Sequence, residues 1–127
     1  MNLTFVESRV FSARWHRRQS DESLRALQNV LLSNPSKGDP IPGCPLLRKL
    51  RFGDESRGKG TRGGVRVIYL HTPRANQIDL VAVYGKDERD DLSKADLKVL
   101  CVMANELRIE ASKNVHVRQQ PPDGMMQ

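Results

Sequence analysis

Arg48, Lys49 and Arg51 in LLRKLRF, with Arg57, Lys59, Arg62 and Arg66 in GDESRGKGTRGGVR, gather much of the chain's positive charge into one stretch. Only Asp54 and Glu55 interrupt them. Overall, 21 Lys and Arg stand against 15 Asp and Glu, a formal charge of +6 that favours polyanionic partners. Cations at this density suit phosphate oxygens: a guanidinium offers two parallel N–H donors and stays charged at any working pH. Further along, Tyr84-Gly85-Lys86 closes the apolar run IDLVAVY, where a phenol hydroxyl and an ammonium can reach the same cleft. Base stacking would require several exposed aromatic side chains. Phe5, Phe11 and Trp15 lie on core-like patterns and Tyr69 and Tyr84 on apolar strands, so the phosphate backbone is the better match.

Within the basic stretch, Gly58, Gly60 and Gly63 spell G-x-G-x-x-G, the spacing of a dinucleotide-binding loop. That loop requires a strand before it and a helix after it, because the pyrophosphate rests on the helix N-terminus. Here the glycines lead into VRVIYL, a β-branched and aromatic run that predicts a strand. The glycines are therefore expected to be slack in a hairpin connection, and no nucleotide cofactor is expected. The structural alternative is a solvated basic loop protecting a sheet edge.

Other chemistries find little support. The two cysteines, Cys44 and Cys101, are far apart and have no C-x-x-C partner, so neither a disulfide framework nor a zinc site is expected. Cys101 falls on an apolar helical stripe and reads as a small core residue. His16, His71 and His116 are isolated, and no metal is expected. The beginning MNLTFVESRVF lacks the order of a signal peptide, and no run of about 18 apolar residues occurs. These features lead to the expectation of a cytoplasmic, reduced protein without a membrane segment.

The elements that must position these cations follow from periodicity. Residues 3 to 6, LTFV, predict a first strand. Ser8 to Arg18 predicts a short helix with Val10, Phe11 and Ala13 to Trp15 as its apolar contacts. Ser20 caps a second helix, opened by Asp21 and Glu22, lined by Leu24, Leu27 and Leu31, and ended at Asn34-Pro35. PSKGDPIPGCP predicts a loop. From Leu46 the period becomes two: Leu47, Lys49 and Arg51 share one strand face, and Arg48, Leu50 and Phe52 the other. VRVIYL and IDLVAVY predict buried antiparallel neighbours joined by a turn at His71 to Asn76. Ser93 caps a last helix with the stripe Leu97, Leu100, Cys101, Ala104 and Leu107. The fold class is α+β, with about four strands in a single domain over residues 1–112. Residues 113–127 read as a disordered tail.

These blocks carry a family resemblance. The run NPSKGDPIPGCPLLRKLRFGDESRGKGTRGGVRVIYL, followed by IDLVAVYGKDERDDLS, resembles the HigB-like branch of the RelE/HigB superfamily of bacterial type II toxins. The pattern there is NP-x-x-GD-x-I-x-G, LRK-[LI]-R, KG-[KT]-RGG-x-R-[VI]-IYY and YGK-x-E-x-x-DL, matched in order over roughly residues 3 to 109. Where such proteins commonly have G-x-GGLRK, this chain has Gly43-Cys44-Pro45-Leu46-Leu47-Arg48-Lys49, which stiffens the approach to the strand.

The resemblance implies a RelE-like fold: two N-terminal helices on a small, mostly antiparallel sheet, with a C-terminal helix bordering the cleft. It implies an mRNA interferase, an endoribonuclease acting on mRNA in the ribosomal A site and inhibiting translation. A cognate antitoxin, a helix-turn-helix protein encoded beside it, would hold it silent. Metal-independent cleavage of this kind uses the substrate's 2′-hydroxyl, which attacks the adjacent phosphorus while the 5′-oxygen leaves with a proton. Arg51, Arg62 and Arg66 then suit stabilisation of the dianionic transition state. Lys49, Lys59, Lys86 and Tyr84 are the candidates for proton transfer, and the sequence does not choose among them. Arg48, Arg57, Lys59 and Arg62 are candidates for holding RNA or the ribosome. The rival readings are a non-catalytic basic nucleic-acid or ribosome-binding module, and a degenerate toxin kept for antitoxin binding.

Overall fold

The computed structural model describes residues 2–53, 64–88 and 91–119, with side chains to residue 113. Arg57, Lys59 and Arg62, and the three motif glycines, lie outside the described residues.

The elements are β1 (Thr4–Glu7), α1 (Arg9–Arg18), α2 (Asp21–Ser33), β2 (Asp39–Ile41), β3 (Cys44–Phe52), β4 (Val65–Thr72), β5 (Gln77–Gly85) and α3 (Lys94–Gln119). The five strands form one sheet in the order β1-β5-β4-β3-β2. All neighbours are antiparallel except β1 and β5. The fold is α+β. The strand beyond the expected four is β2, inside the Pro/Gly-rich segment that reads as a loop. Its Pro40 is tolerated because β2 lies at the sheet edge, where a missing N–H costs no ladder bond.

Both N-terminal helices start as their caps dictate. The Ser8 hydroxyl accepts from the Phe11 N–H at 3.0 Å, and the Ser20 hydroxyl accepts from the Ser23 N–H at 3.0 Å. The capping oxygen leaves one orphan donor fewer at each helix start. Phe11 and Trp15 from α1 and Leu27 and Leu31 from α2 pack on Leu50, Val65, Val67, Tyr69, Ile78, Leu80 and Val83. The apolar stripe of α1 is narrower than expected, for Val10 is 60% exposed and Ala13 is also exposed. Phe11 and Trp15, one turn apart, are its buried residues, while Arg14 Nε donates to the Val83 carbonyl of β5 at 3.0 Å.

On the other face, Ala104 of α3 packs with Ile41, Cys44, Leu47, Ile68, Leu70, Val81 and Tyr84. Leu97, Leu100, Cys101 and Leu107 join as partly buried neighbours. The Ser93 hydroxyl accepts from the Asp96 N–H at 3.0 Å, as the cap predicts. The helix does not end near residue 112, where the apolar pattern decays, but runs to Gln119. Fading amphipathicity ends a packed face without ending a helix, and no proline intervenes before Pro121. The expected disordered tail is therefore helical to Gln119, and residues 120–127 lie outside the described residues.

The two cysteines are not free, against the expectation from their spacing. Cys44 and Cys101 are joined by a disulfide, with Cα atoms 5.9 Å apart. Cys101 is thus not the reduced core residue that its stripe suggests. The turn before β3, with Gly43 at φ +90°, brings Cys44 under the first half of α3, so 57 positions of sequence separation vanish in space. A Cβ on Gly43 would come within 3.3 Å of Leu97 Cδ2, so the turn and the helix meet closely there.

Candidate phosphate-binding face

Period two in β3 sorts its cations as the sequence predicts. Leu47 packs under α3 and Leu50 under α1 and α2, so Lys49 and Arg51 share the α3 side of the sheet. Directly across the ladder, Arg51 pairs with Arg66 of β4, and Arg66 pairs with Tyr84 of β5. Arg51, Arg66 and Tyr84 therefore form one transverse row over three strands. Lys49 pairs with Ile68, one step along on the same face.

Tyr84 reaches this row because of an irregularity. The β4–β5 register shifts between Ile68 and Tyr69, which pair with Ala82 and Leu80 and leave Val81 unmatched. Without the shift, Tyr84 would share the face of Ile78 and Leu80, beneath the N-terminal helices. With it, Val83 packs beneath those helices and Val81 and Tyr84 turn toward α3. A bulge re-aims side chains in this way.

The row grades from wet to dry. Arg51 is exposed, Lys49 half-buried, and Arg66 and Tyr84 each 4% exposed. Asp91 joins two of its members: its Oδ1 lies 3.4 Å from Lys49 Nζ and accepts from the Tyr84 hydroxyl at 3.4 Å. The Leu92 N–H holds the Asp91 carboxyl below the usual carboxylate range, and Lys49 lowers it further. Asp91 is a residue that the sequence reading did not single out. The DL pair of the YGK-x-E-x-x-DL block contains it, but spacing alone gives no sign that it meets β3.

The same block has a second role at its glutamate. Glu88 accepts from the Gly85 N–H at 2.8 Å and pairs with Arg14 and Arg18 of α1. Asp87 also pairs with Arg18, at 2.8 Å. The Gly85 N–H, reinforced by both arginines, holds Glu88 below its ordinary value. This carboxylate fixes the turn that carries Lys86 just beyond Tyr84. Lys86 itself is exposed, and its N–H donates to the Gly64 carbonyl at 3.1 Å, tying the turn to the root of the glycine-rich connection.

Arg48 is not brought to this group. It stands opposite Tyr69, on the other face of β3, and its Nη1 donates to the carbonyls of Gly38 at 2.6 Å and Ser36 at 3.3 Å. Tyr69 braces the same segment: its hydroxyl donates to the Pro35 carbonyl at 2.7 Å and accepts from the Gly38 N–H at 3.0 Å. Burial pushes the Tyr69 phenol up. Only a residue lacking a Cβ fits at Gly38, since that atom would lie 2.8 Å from Tyr69 Cε1. Arg48 is thereby explained as a brace for the segment Ser36–Gly38.

Among the described residues no group of His, Cys, Asp and Glu is placed to hold a metal ion, and no helix is long and apolar enough to cross a membrane. No protein-family model matches the chain.

Proposed function

We propose that this chain is a metal-independent endoribonuclease of the RelE/HigB toxin type, cutting mRNA on the ribosome in the cytoplasm and held silent by an antitoxin. The observation that carries this reading is the transverse row Arg51–Arg66–Tyr84 with Lys49 beside it. Fixed cations of this kind suit the charge that develops on phosphate oxygens, and burial strengthens their effect. Arg66, the more buried arginine, anchors a non-bridging oxygen, while Arg51 meets the charge at the rim.

Removal of the 2′-proton and delivery of a proton to the 5′-oxygen fall to Lys49 and Tyr84. Their shared contact with the Asp91 oxygen supports these two over Lys86, which is exposed in the turn. In this reading Asp91 occupies the place between them until RNA binds, and it orients both groups. RNA supplies its own nucleophile, so the protein contributes charge, orientation and two proton positions.

The experiment is a cell-free translation reaction with labelled mRNA, run with and without ribosome-bound message. Cleavage within codons, dependent on ribosomes and indifferent to chelators, is the expected result. Binding without any cleaved product would replace this reading with that of a basic ribosome-binding module.

A further inference from the structure

The Cys44–Cys101 bridge lies outside the proposed RNA chemistry and is built asymmetrically. Cys44, the first residue of β3, is 1% exposed, whereas Cys101 is half-buried. Cys101 also lines a pocket of about 360 Å³, whose walls include Gly43, Leu97, Lys94 and Lys98. Gly43 opens that pocket by having no side chain to set against Leu97. Lys94 and Lys98 are exposed and place two positive charges on the same wall. Such a setting stabilises a departing or attacking thiolate.

We propose that this bridge is a thiol–disulfide exchange site, opened through the pocket by a dithiol that attacks Cys101. A thiolate of the dithiol forms a bond to Cys101 Sγ. The Cys44–Cys101 bond breaks, and Cys44 departs as a thiolate and takes a proton from water. The second thiolate of the dithiol then attacks the dithiol's own sulfur in the mixed disulfide. Cys101 leaves as a thiolate beside Lys94 and Lys98. Two electrons and two protons pass to the chain, and the dithiol departs as a disulfide.

The consequence lies in α3. Of its apolar stripe only Ala104 is fully buried among the sheet's side chains, while Leu97, Leu100, Met103 and Leu107 are partly covered. The bridge is the covalent tie between this lightly packed helix and the strand that carries Lys49 and Arg51. Its opening loosens the first half of α3 over the face where Tyr84 and Leu47 share its core. This site stands whether or not the chain cuts RNA.

The test uses the full chain, isolated without reductant and treated with dithiothreitol in native buffer, with thiols counted by alkylation and mass spectrometry. No free thiol before treatment and two afterwards, without denaturant, is the expected result. Amide exchange should rise along residues 94–106 and stay unchanged in β4 and β5. In single-cysteine chains, Cys101 (with Cys44→Ser) should react with a small aromatic disulfide about tenfold faster than Cys44 (with Cys101→Ser). Lys94→Gln with Lys98→Gln should slow the exchange several-fold at low salt. Two free thiols in the untreated chain, reduction only in denaturant, or exchange indifferent to the two lysines would overturn the proposal. The lysine variants and the untreated chain keep the test decisive even if a cysteine variant fails to fold.

Discussion

Arg51 and Arg66 stand directly opposite each other across the β3–β4 ladder, two like charges where a sheet ordinarily avoids them. The arrangement is costly for the apo protein and useful to an anion bridging the pair. Arg51→Gln is therefore expected to raise thermal stability slightly at low salt, by about 0.2–1 kcal/mol. The same change should weaken RNA binding and reduce the salt slope of binding by about 0.7, one phosphate on a single strand. Thermal melts and binding titrations over a salt series read both effects. A loss of stability with an unchanged slope would remove the pair from the site.

Glu88 links the turn after β5 to α1 through Gly85, Arg14 and Arg18. Glu88→Ala should cost about 1 kcal/mol and lower cleavage by displacing Tyr84 and Lys86. The folded carboxyl titrates below its ordinary value of 4.5. Its stabilising contribution is therefore fully present above that value and is lost as pH falls through the lower, folded value. Melting curves from pH 3 to pH 7 should show the variant and parent converging at the acid end.

Asp79 presents the opposite sign. It is 2% exposed, with Gln77 Nε2 donating to both its oxygens at 3.2 and 3.3 Å, and burial pushes its carboxyl above 3.8. The folded state holds the proton more tightly than the unfolded one, so stability falls as pH rises from 3.8 through the folded value. Asp79→Asn should raise the melting temperature at pH 7 and flatten its pH dependence, as calorimetry would read. An unchanged profile would mean that Asp79 titrates as though exposed.

The Cys44–Cys101 bridge closes a loop of 57 positions. Constraining the unfolded chain in this way is worth about 4 kcal/mol in the chain-entropy account. The Cys44→Ser, Cys101→Ser double variant should lose stability of that order in urea titrations, with hydrogen exchange fastest in α3.

Much of this arrangement is legible in the sequence. Ser20 and Ser93 mark helix starts by their hydroxyls, and Pro35 ends α2 at Asn34. The alternation of Leu47, Lys49 and Arg51 against Arg48, Leu50 and Phe52 assigns the strand faces correctly, and that alone separates Arg48 from the cationic row. Three features are not legible, each for a physical reason. Tyr84 reaches its face through a bulge, and alternation read along β5 gives the wrong side. Asp91 meets Lys49 and Tyr84 only because β3, β5 and the start of α3 converge. The disulfide depends on a turn folding beneath a helix, which cysteine spacing does not record. The glycine-rich connection supplied much of the functional reading, yet Arg57, Lys59 and Arg62 lie outside the described residues.

The central claim is that Arg66, held in the row between Arg51 and Tyr84, stabilises phosphoryl transfer. The most direct measurement compares the parent chain, Arg66→Lys and Arg66→Gln in ribosome-dependent mRNA cleavage, each at matched ribosome occupancy. Arg66→Gln should lower the cleavage rate by about a hundredfold or more while ribosome binding changes far less, with Arg66→Lys between the two. Equal cleavage by all three chains, or no cleavage by the parent, would contradict the account.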